Sequence, residues 1–165
     1  MTRLIKDVAR EDAVRILDQY WDGRYPVDPV RIAQGIGIRV WTADLPVDVS
    51  GQLIKSETDA VGNIYLNQTE TAVRQHFTCA HEIGHWVDRK NHHDLKYSFV
   101  DYRDASKAPA VATEWYADHF AGNLLMPTED FTRFHKMGFS VPDLAFYFGV
   151  SPASVKVRLR SLSLA

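Results

Sequence analysis

The chain has 165 residues, of which 45% are hydrophobic, and a formal net charge of −2. This length and composition fit one domain with a hydrophobic core and argue against a second domain of full size. The small net charge gives no overall attraction to nucleic acid or to an anionic membrane. The single cysteine excludes an internal disulfide and is typical of a reducing compartment.

The N-terminal residues carry charges at close intervals, among them Arg3, Lys6 and Asp7. They therefore lack the apolar core of a signal peptide. No apolar run approaches the roughly 20 residues that a membrane-spanning helix needs. We expect a cytoplasmic protein with no membrane span.

The first half of the chain predicts two helices followed by a small sheet. Residues 5–20 have the apolar spacing of an amphipathic helix, and a short helix is expected from Pro29 to Gln34, before Gly35 and Gly37. Three strand-like segments follow, and we expect them to form an antiparallel sheet: 38–41, 51–54 and 63–67. Because the last strand leads into the next helix, this sheet is expected to lie over a cleft and bind an extended peptide by strand addition. Simple core packing is the alternative.

Residues 81–85 read HEIGH and lie in a segment with helical apolar spacing. On a helix His81 and His85 are one turn apart, so both imidazoles can hold one metal ion. Glu82 is then placed to take a proton from a metal-activated water and pass it to a leaving amine. The alternative is a buried helix with two core histidines. Cys79, on the same helix, is expected to be a small buried hydrophobe.

A catalytic zinc site needs a third ligand, and Glu114 is the best candidate. It extends the inward face of a second helix by one turn, and a carboxylate on that face is normally paired, protonated or bound to metal. Asp118 shares this face and is expected to accept the outer N–H of a ligating imidazole. The alternatives are a surface glutamate near a helix start and a solvated or capping aspartate.

Residues 89–110 are polar, have no clear periodicity and predict a long loop between the two helices. His92 and His93 in this segment are candidates for stabilising an oxyanion, as are three tyrosines, although no spacing rule places any of them over the metal. A fourth ligand from His92, His93 or Cys79 would instead indicate a closed, structural metal site. The tyrosines are Tyr97, Tyr102 and Tyr116.

The last segment predicts a helical hairpin that resembles a helix-turn-helix unit. Residues 141–148 form its first helix, and Ser151 caps a second helix that runs to Leu162. Residues 140–162 could contact DNA phosphates through three basic side chains, yet residues 129–165 hold only five Lys or Arg against three Asp or Glu. We therefore favour a hairpin that packs on the rest of the chain or recognises a protein. The three basic residues are Lys156, Arg158 and Arg160.

These motifs together resemble the ImmA/IrrE family of small metallopeptidases. The resemblance is strong over FTCAHEIGHW at residues 77–86 and from Glu114 to Pro127. NIYLN at residues 63–67 also matches, and the resemblance is looser from Pro26 to Val40 and at Ser50–Gly51. It implies a zincin-like fold and one zinc ion per chain, held by His81, His85 and Glu114, with Glu82 as general base. It also implies a substrate class, the helix-turn-helix repressors of phage, mobile-element or stress-response genes.

Residues and resemblance together predict an α+β, zincin-like fold with a small antiparallel sheet packed on the metal-binding helices and a C-terminal helical hairpin. We expect one domain over residues 1–165, with a core at 1–128 and a helical subregion at 129–165. The predicted function is that of a zinc-dependent endopeptidase that cleaves a repressor. The alternative is a non-proteolytic regulator that binds a partner repressor or DNA and holds a structural metal.

Overall fold

The computed structural model describes residues 3–92 and 111–165 in full and the backbone of residues 99–104. These residues form seven helices and four strands, so the predicted α+β class is confirmed. No helix in the described part is long and apolar enough to cross a membrane. The elements are α1 (Ile5–Tyr20), α2 (Pro29–Ile36), β1 (Arg39–Ala43), β2 (Val49–Lys55), β3 (Asn63–Asn67), α3 (Ala72–Asn91), β4 (Phe99–Asp104), α4 (Val111–Leu125), α5 (Thr128–Lys136), α6 (Val141–Phe148) and α7 (Pro152–Ser161).

The four strands form one mixed sheet in the order β1, β3, β2, β4. β2 runs antiparallel to both of its neighbours, whereas β1 runs parallel to β3. The expectation of a wholly antiparallel sheet is therefore wrong at β1. The reason is that β1 and β2 run in opposite directions and β3 lies between them. Because β3 is antiparallel to β2, it runs in the same direction as β1.

The segment predicted as a long loop contains regular structure. α3 continues to Asn91, and residues 99–104 form β4, in which Asp101 is opposite Leu53 of β2. An edge strand tolerates charged residues, so β4 lacks the apolar alternation that would reveal it in the sequence. Within the described residues β1 and β4 are the edge strands, and the strand that leads into α3 has neighbours on both sides. Of the strands that the structure describes, β1 and β4 are the two to which a peptide could add.

α3 lies at the centre of the fold, between the sheet and α4. Ten consecutive residues, from Thr78 to Val87, are buried, so the helix is covered on every side. On the sheet side, a Cβ atom at Gly51 of β2 would lie 2.5 Å from the Thr78 Cγ2 atom of α3. The sheet backbone therefore packs directly against α3.

On its other side α3 approaches α4 at Gly84. A Cβ atom there would lie 3.0 Å from the Ala117 Cα and 3.2 Å from the Phe120 Cβ. Glycine in a helix interior costs about 1 kcal/mol relative to alanine, and this close approach explains why it is present. The two helices that carry the motif residues are thereby held close together.

α1 is fixed to α4 by the buried carboxylate of Asp12, which is 3% exposed. Its Oδ2 accepts hydrogen bonds from the Tyr116 hydroxyl at 2.7 Å and from the Asn91 Nδ2 at 3.0 Å, and its Oδ1 accepts one from Arg15 at 2.7 Å. Charge-assisted bonds of this kind are about twice as strong as neutral ones. Asp12 therefore links α1, the end of α3 and the first half of α4.

The C-terminal helices contain the expected hairpin of α6 and α7, and also α5, which the sequence did not predict individually. Gly149 ends α6 in the left-handed conformation, and Ser151 caps α7 by accepting a hydrogen bond from the Ser154 N–H at 3.0 Å. Lys156 and Arg160 are exposed, whereas Arg158 is buried against the end of α4. Arg158 is thus not on the surface that was considered for phosphate contacts.

The close contact at Gly84 predicts opposite effects for two glycine-to-alanine substitutions. We expect Gly84→Ala to lower the free energy of unfolding by about 1 kcal/mol or more, because the added methyl group forces α3 and α4 apart. Gly122→Ala on α4 is the matched control: a Cβ there meets no heavy atom within 4 Å, so removing a helical glycine should raise the free energy of unfolding by about 1 kcal/mol. Urea denaturation measures both. Stabilisation by Gly84→Ala would contradict the packing argument.

Candidate metal centre

The three residues expected to hold a metal ion come from two neighbouring helices. His81 and His85 lie one turn apart in the buried centre of α3, and Glu114 lies in the first turn of α4. The His81 side chain is fully buried, His85 is nearly so, and the Glu114 side chain is 28% exposed. The contact at Gly84 sets the distance between these helices.

The side-chain donor atoms of these residues converge. The Nε2 atoms of His81 and His85 are 3.0 Å apart. Glu114 Oε2 lies 3.2 Å from the His81 Nε2, and Oε1 lies 2.8 Å from the His85 Nε2. Within the part of the chain that the structure describes, this is the one group of three or more such residues close enough to bind one cation.

Asp118, one turn after Glu114 on α4, sets the tautomer of His81. Its Oδ1 lies 2.9 Å from the His81 Nδ1. Because a carboxylate accepts this hydrogen bond, Nδ1 carries the hydrogen and Nε2 of neutral His81 presents a lone pair. That lone pair is directed at a second imidazole nitrogen and a carboxylate. Without a metal, these short separations require a proton on at least one of the facing imidazole nitrogens, and a bound cation would take the place of that proton.

The negative charge of Glu114 is compatible with binding of a cation at this cluster. Burial acts to raise the pKa of Glu114, but hydrogen bonds and favourable charge interactions with His81 and His85 outweigh it and hold the pKa well below its usual range. Glu114 is therefore an ionised carboxylate at neutral pH, the form in which a carboxylate binds a metal.

This donor set fits zinc. Two imidazole nitrogens and one carboxylate oxygen form one of the known catalytic zinc sets, in which three protein ligands leave a fourth position open for water or substrate. Oxygen-preferring ions such as Mg²⁺ and Ca²⁺ favour sites built from carboxylates and carbonyls. The chemistry of the side chains thus favours zinc.

On α3, Glu82 directly follows His81, and Cys79 lies two residues before it. Both side chains are fully buried. Burial, with a smaller contribution from the charge of Glu82, raises the pKa of the Cys79 thiol far above its ordinary value. A thiol in that state is neutral and is a poor metal ligand. Cys79 therefore behaves as the small buried hydrophobe that the sequence predicts.

The other residues considered for the site lie elsewhere or outside the described residues. His92 ends α3, with its side chain 69% exposed and its Nδ1 2.7 Å from the Asp88 carbonyl oxygen. The Tyr116 hydroxyl is engaged with Asp12. His93 and Tyr97 are not among the described residues, and neither is the side chain of Tyr102. Within the described residues, neither His92 nor Cys79 joins the metal cluster.

Sequence reasoning missed a cavity of about 680 Å³ that is lined by residues of α3, α4 and α7. Asp118 lines it, and so does Arg158 from the opposite helix. The available signal was an arginine on the inward side of α7, between the buried Val155 and Leu159. Arg158 was instead grouped with its exposed basic neighbours.

Comparison with known proteins supports the family resemblance. A family model described as Peptidase_M78, the IrrE N-terminal-like domain, matches residues 33–160. No curated protein matches the chain significantly. Among solved structures, a Mycobacterium tuberculosis transcriptional regulator is similar, with a TM-score of 0.66 and 19% sequence identity over 94% of this chain and 50% of that chain.

At this identity the structural likeness shows the fold alone, and the present chain spans half the length of that regulator. The family model, in contrast, matches well over half of the chain and includes α3 and α4 in full. The chain therefore belongs to the Peptidase_M78 family of IrrE N-terminal-like domains, which confirms the resemblance to ImmA/IrrE metallopeptidases.

Proposed function

We propose that this chain is a zinc-dependent endopeptidase, with His81, His85 and Glu114 as metal ligands and Glu82 as general base. The observation that carries the proposal is the convergence of two imidazole Nε2 atoms and a carboxylate within 2.8–3.2 Å of one another. Membership of a metallopeptidase family supports it independently.

A bound zinc ion supplies Lewis-acid chemistry, which makes a water molecule more acidic and a peptide carbonyl more electrophilic. Glu82 takes a proton from the attacking water as the water oxygen bonds to the carbonyl carbon. Glu82 then gives that proton to the amide nitrogen as the carbon–nitrogen bond breaks, so that the products are a carboxyl group and an amine. Asp118 holds the His81 imidazole in the tautomer that presents Nε2.

The substrate we propose is a helix-turn-helix repressor of phage, mobile-element or stress-response genes, cleaved in the cytoplasm to relieve repression. The family assignment supports a substrate of this kind. The structural relative described as a transcriptional regulator is consistent with a regulatory role. Both observations concern relatives, so the substrate is a proposal to be tested on the repressor encoded nearest to this gene.

The alternative function is that of a non-proteolytic regulator which binds a repressor or DNA and holds a structural metal. The exposed basic residues Lys156 and Arg160 on α7 favour some contact with an acidic partner. A structural zinc site normally has four protein ligands, whereas the described residues supply three. The donor set therefore favours the catalytic function.

The general-base and ligand roles separate by substitution. We expect Glu82→Gln to keep one zinc ion per chain and to lose cleavage, because the amide cannot accept the proton from water. His81→Ala, His85→Ala and Glu114→Ala should each lose both the metal and cleavage. Elemental analysis of the purified proteins measures the metal, and incubation with the neighbouring repressor, with and without chelator, measures cleavage.

His135→Ala, on α5 and outside the metal cluster, is the control and should keep both properties. Full metal content in Glu114→Ala would remove Glu114 from the ligand set. Bound zinc in the wild type with no cleavage of the repressor would favour the binding function.

The role of Asp118 predicts a loss of metal affinity that is smaller than the loss from removing a ligand. We expect Asp118→Asn to weaken zinc binding by roughly 10- to 100-fold, because the amide holds the His81 tautomer less firmly than a carboxylate does. Competition with a chromophoric chelator measures this affinity. Asp18→Asn on the exposed side of α1 is the matched control. Equal affinities in the two variants would show that Asp118 does not support the metal.

A further inference from the structure

The cavity of about 680 Å³ between α3, α4 and α7 is large enough for a small organic ligand. Large apolar side chains form much of its wall, including Phe77 of α3, Trp115 of α4 and Val157 of α7. Trp115 is 60% exposed and Val157 is 56% exposed. Apolar side chains that face each other across an open cavity provide a surface on which the body of a ligand can be buried.

Arg158 gives the cavity wall a positive charge with which no carboxylate of the described residues forms an ion pair. Arg158 lines the cavity and is only 5% exposed. Its Nε and Nη2 atoms donate to the Met126 carbonyl at 3.1 and 2.8 Å, and Nη2 also donates to Asn123 Oδ1 and to Thr128 Oγ1. All of these acceptors are neutral. Within the described residues, no carboxylate pairs with Arg158, and its Nη1 atom has no acceptor.

A buried cation without a carboxylate partner is unusual, because removing a charge from water is costly unless a counter-charge replaces the water. Burial, together with the charge of Arg10, lowers the pKa of Arg158 to about 10. The guanidinium therefore remains protonated at neutral pH. The positive charge on this cavity wall is permanent under physiological conditions.

The N-terminal turn of α7 also lines the cavity, through Ser151, Ala153 and Ser154. The start of a ten-residue helix carries partial positive charge, which favours an anion. The hydroxyl groups of Ser151 and Ser154 share a hydrogen bond at 2.9 Å, and Ser151 Oγ also accepts one from the Ser154 N–H at 3.0 Å. The buried guanidinium therefore carries the preference for an anion, and the partial positive charge of the helix start on the same cavity wall adds to it.

We propose that this cavity binds a ligand with an apolar body and a carboxylate group. The carboxylate binds Arg158 Nη1, and the body packs against Trp115 and Phe77. Such a group comes either from a free small carboxylic acid or from an acidic residue of a bound polypeptide. The proposal does not depend on proteolysis, although Asp118, which lines the cavity, also contacts His81.

The test uses the full chain and two probes of nearly equal shape, phenylpropionate and its neutral amide, phenylpropanamide. NMR titration follows the indole N–H of Trp115, which is assigned by comparison with Trp115→Phe. We expect phenylpropionate to bind roughly tenfold more tightly than the amide, which is the contribution of a charge-assisted hydrogen bond. Equal binding of the two probes, or no binding of phenylpropionate, would overturn the proposal.

Three variants locate the bound probe. Arg158→Met should weaken phenylpropionate binding by roughly tenfold and leave amide binding unchanged. Arg160→Met, an exposed position on the same helix, is the matched control and should bind as the wild type does. Gly122→Leu should block both probes, because a side chain at this wall position extends from a Cβ that meets no heavy atom within 4 Å.

Gly122→Leu keeps the test valid if Arg158→Met fails to fold, since it adds a side chain in open space. Unchanged phenylpropionate binding in folded Gly122→Leu would place the probe elsewhere and overturn the proposal.

A capped peptide that contains leucine and glutamate, compared with the same peptide with glutamine in place of glutamate, separates the two sources of the carboxylate, a free acid and a polypeptide. Competition between the glutamate peptide and phenylpropionate indicates a site for a polypeptide, and phenylpropionate binding without such competition indicates a site for a free acid.

Discussion

The close approach of α3 to α4 at Gly84 is the constraint on which the metal cluster depends. The Nε2 atoms of His81 and His85 belong to α3, and the Glu114 carboxylate belongs to α4. These groups are separated by 2.8–3.2 Å. Metal–ligand distances tolerate deviations of only a few tenths of an ångström. A Cβ at residue 84 would lie only 3.0 Å from the Ala117 Cα. Any side chain larger than that of glycine would therefore displace α4 by at least a few tenths of an ångström, as much as metal–ligand distances tolerate.

The rest of the fold fixes α4 at both ends. Asp12 binds the Tyr116 hydroxyl near the start of the helix, and Arg158 binds the Met126 carbonyl just after its end. Both are buried charged groups whose hydrogen bonds reach across many residues of sequence. α1 and α7 thus hold in place the same helix that carries Glu114, although both are distant from the metal cluster in sequence.

The sequence was sufficient for the parts of the site that depend on local periodicity. Helical spacing places His81 beside His85 and Glu114 beside Asp118, and one turn of helix is enough to predict these neighbours. The structure brings all four side chains together, and their catalytic or binding roles remain proposals. The helix and strand positions before α3 follow from the same local patterns and the same turn residues.

The features that the sequence could not predict depend on pairing between distant segments. β4 is an edge strand with charged residues, and only its alignment with β2 identifies it. The parallel pairing of β1 with β3 requires knowledge of which strand lies between which. Arg158 resembles its exposed neighbours in sequence, because its acceptors are a backbone carbonyl and neutral side chains rather than an acidic residue at helical spacing.

Asp118 connects the donor cluster with the cavity. One of its oxygen atoms contacts the His81 imidazole, and the same side chain lines the cavity that Arg158 also lines. A ligand that strengthened or weakened the Asp118–His81 hydrogen bond would change the affinity of the donor cluster for its cation. By thermodynamic linkage the cation would change the affinity for that ligand by the same factor. Any such coupling therefore has to appear in both binding equilibria, whether or not the chain cleaves peptides.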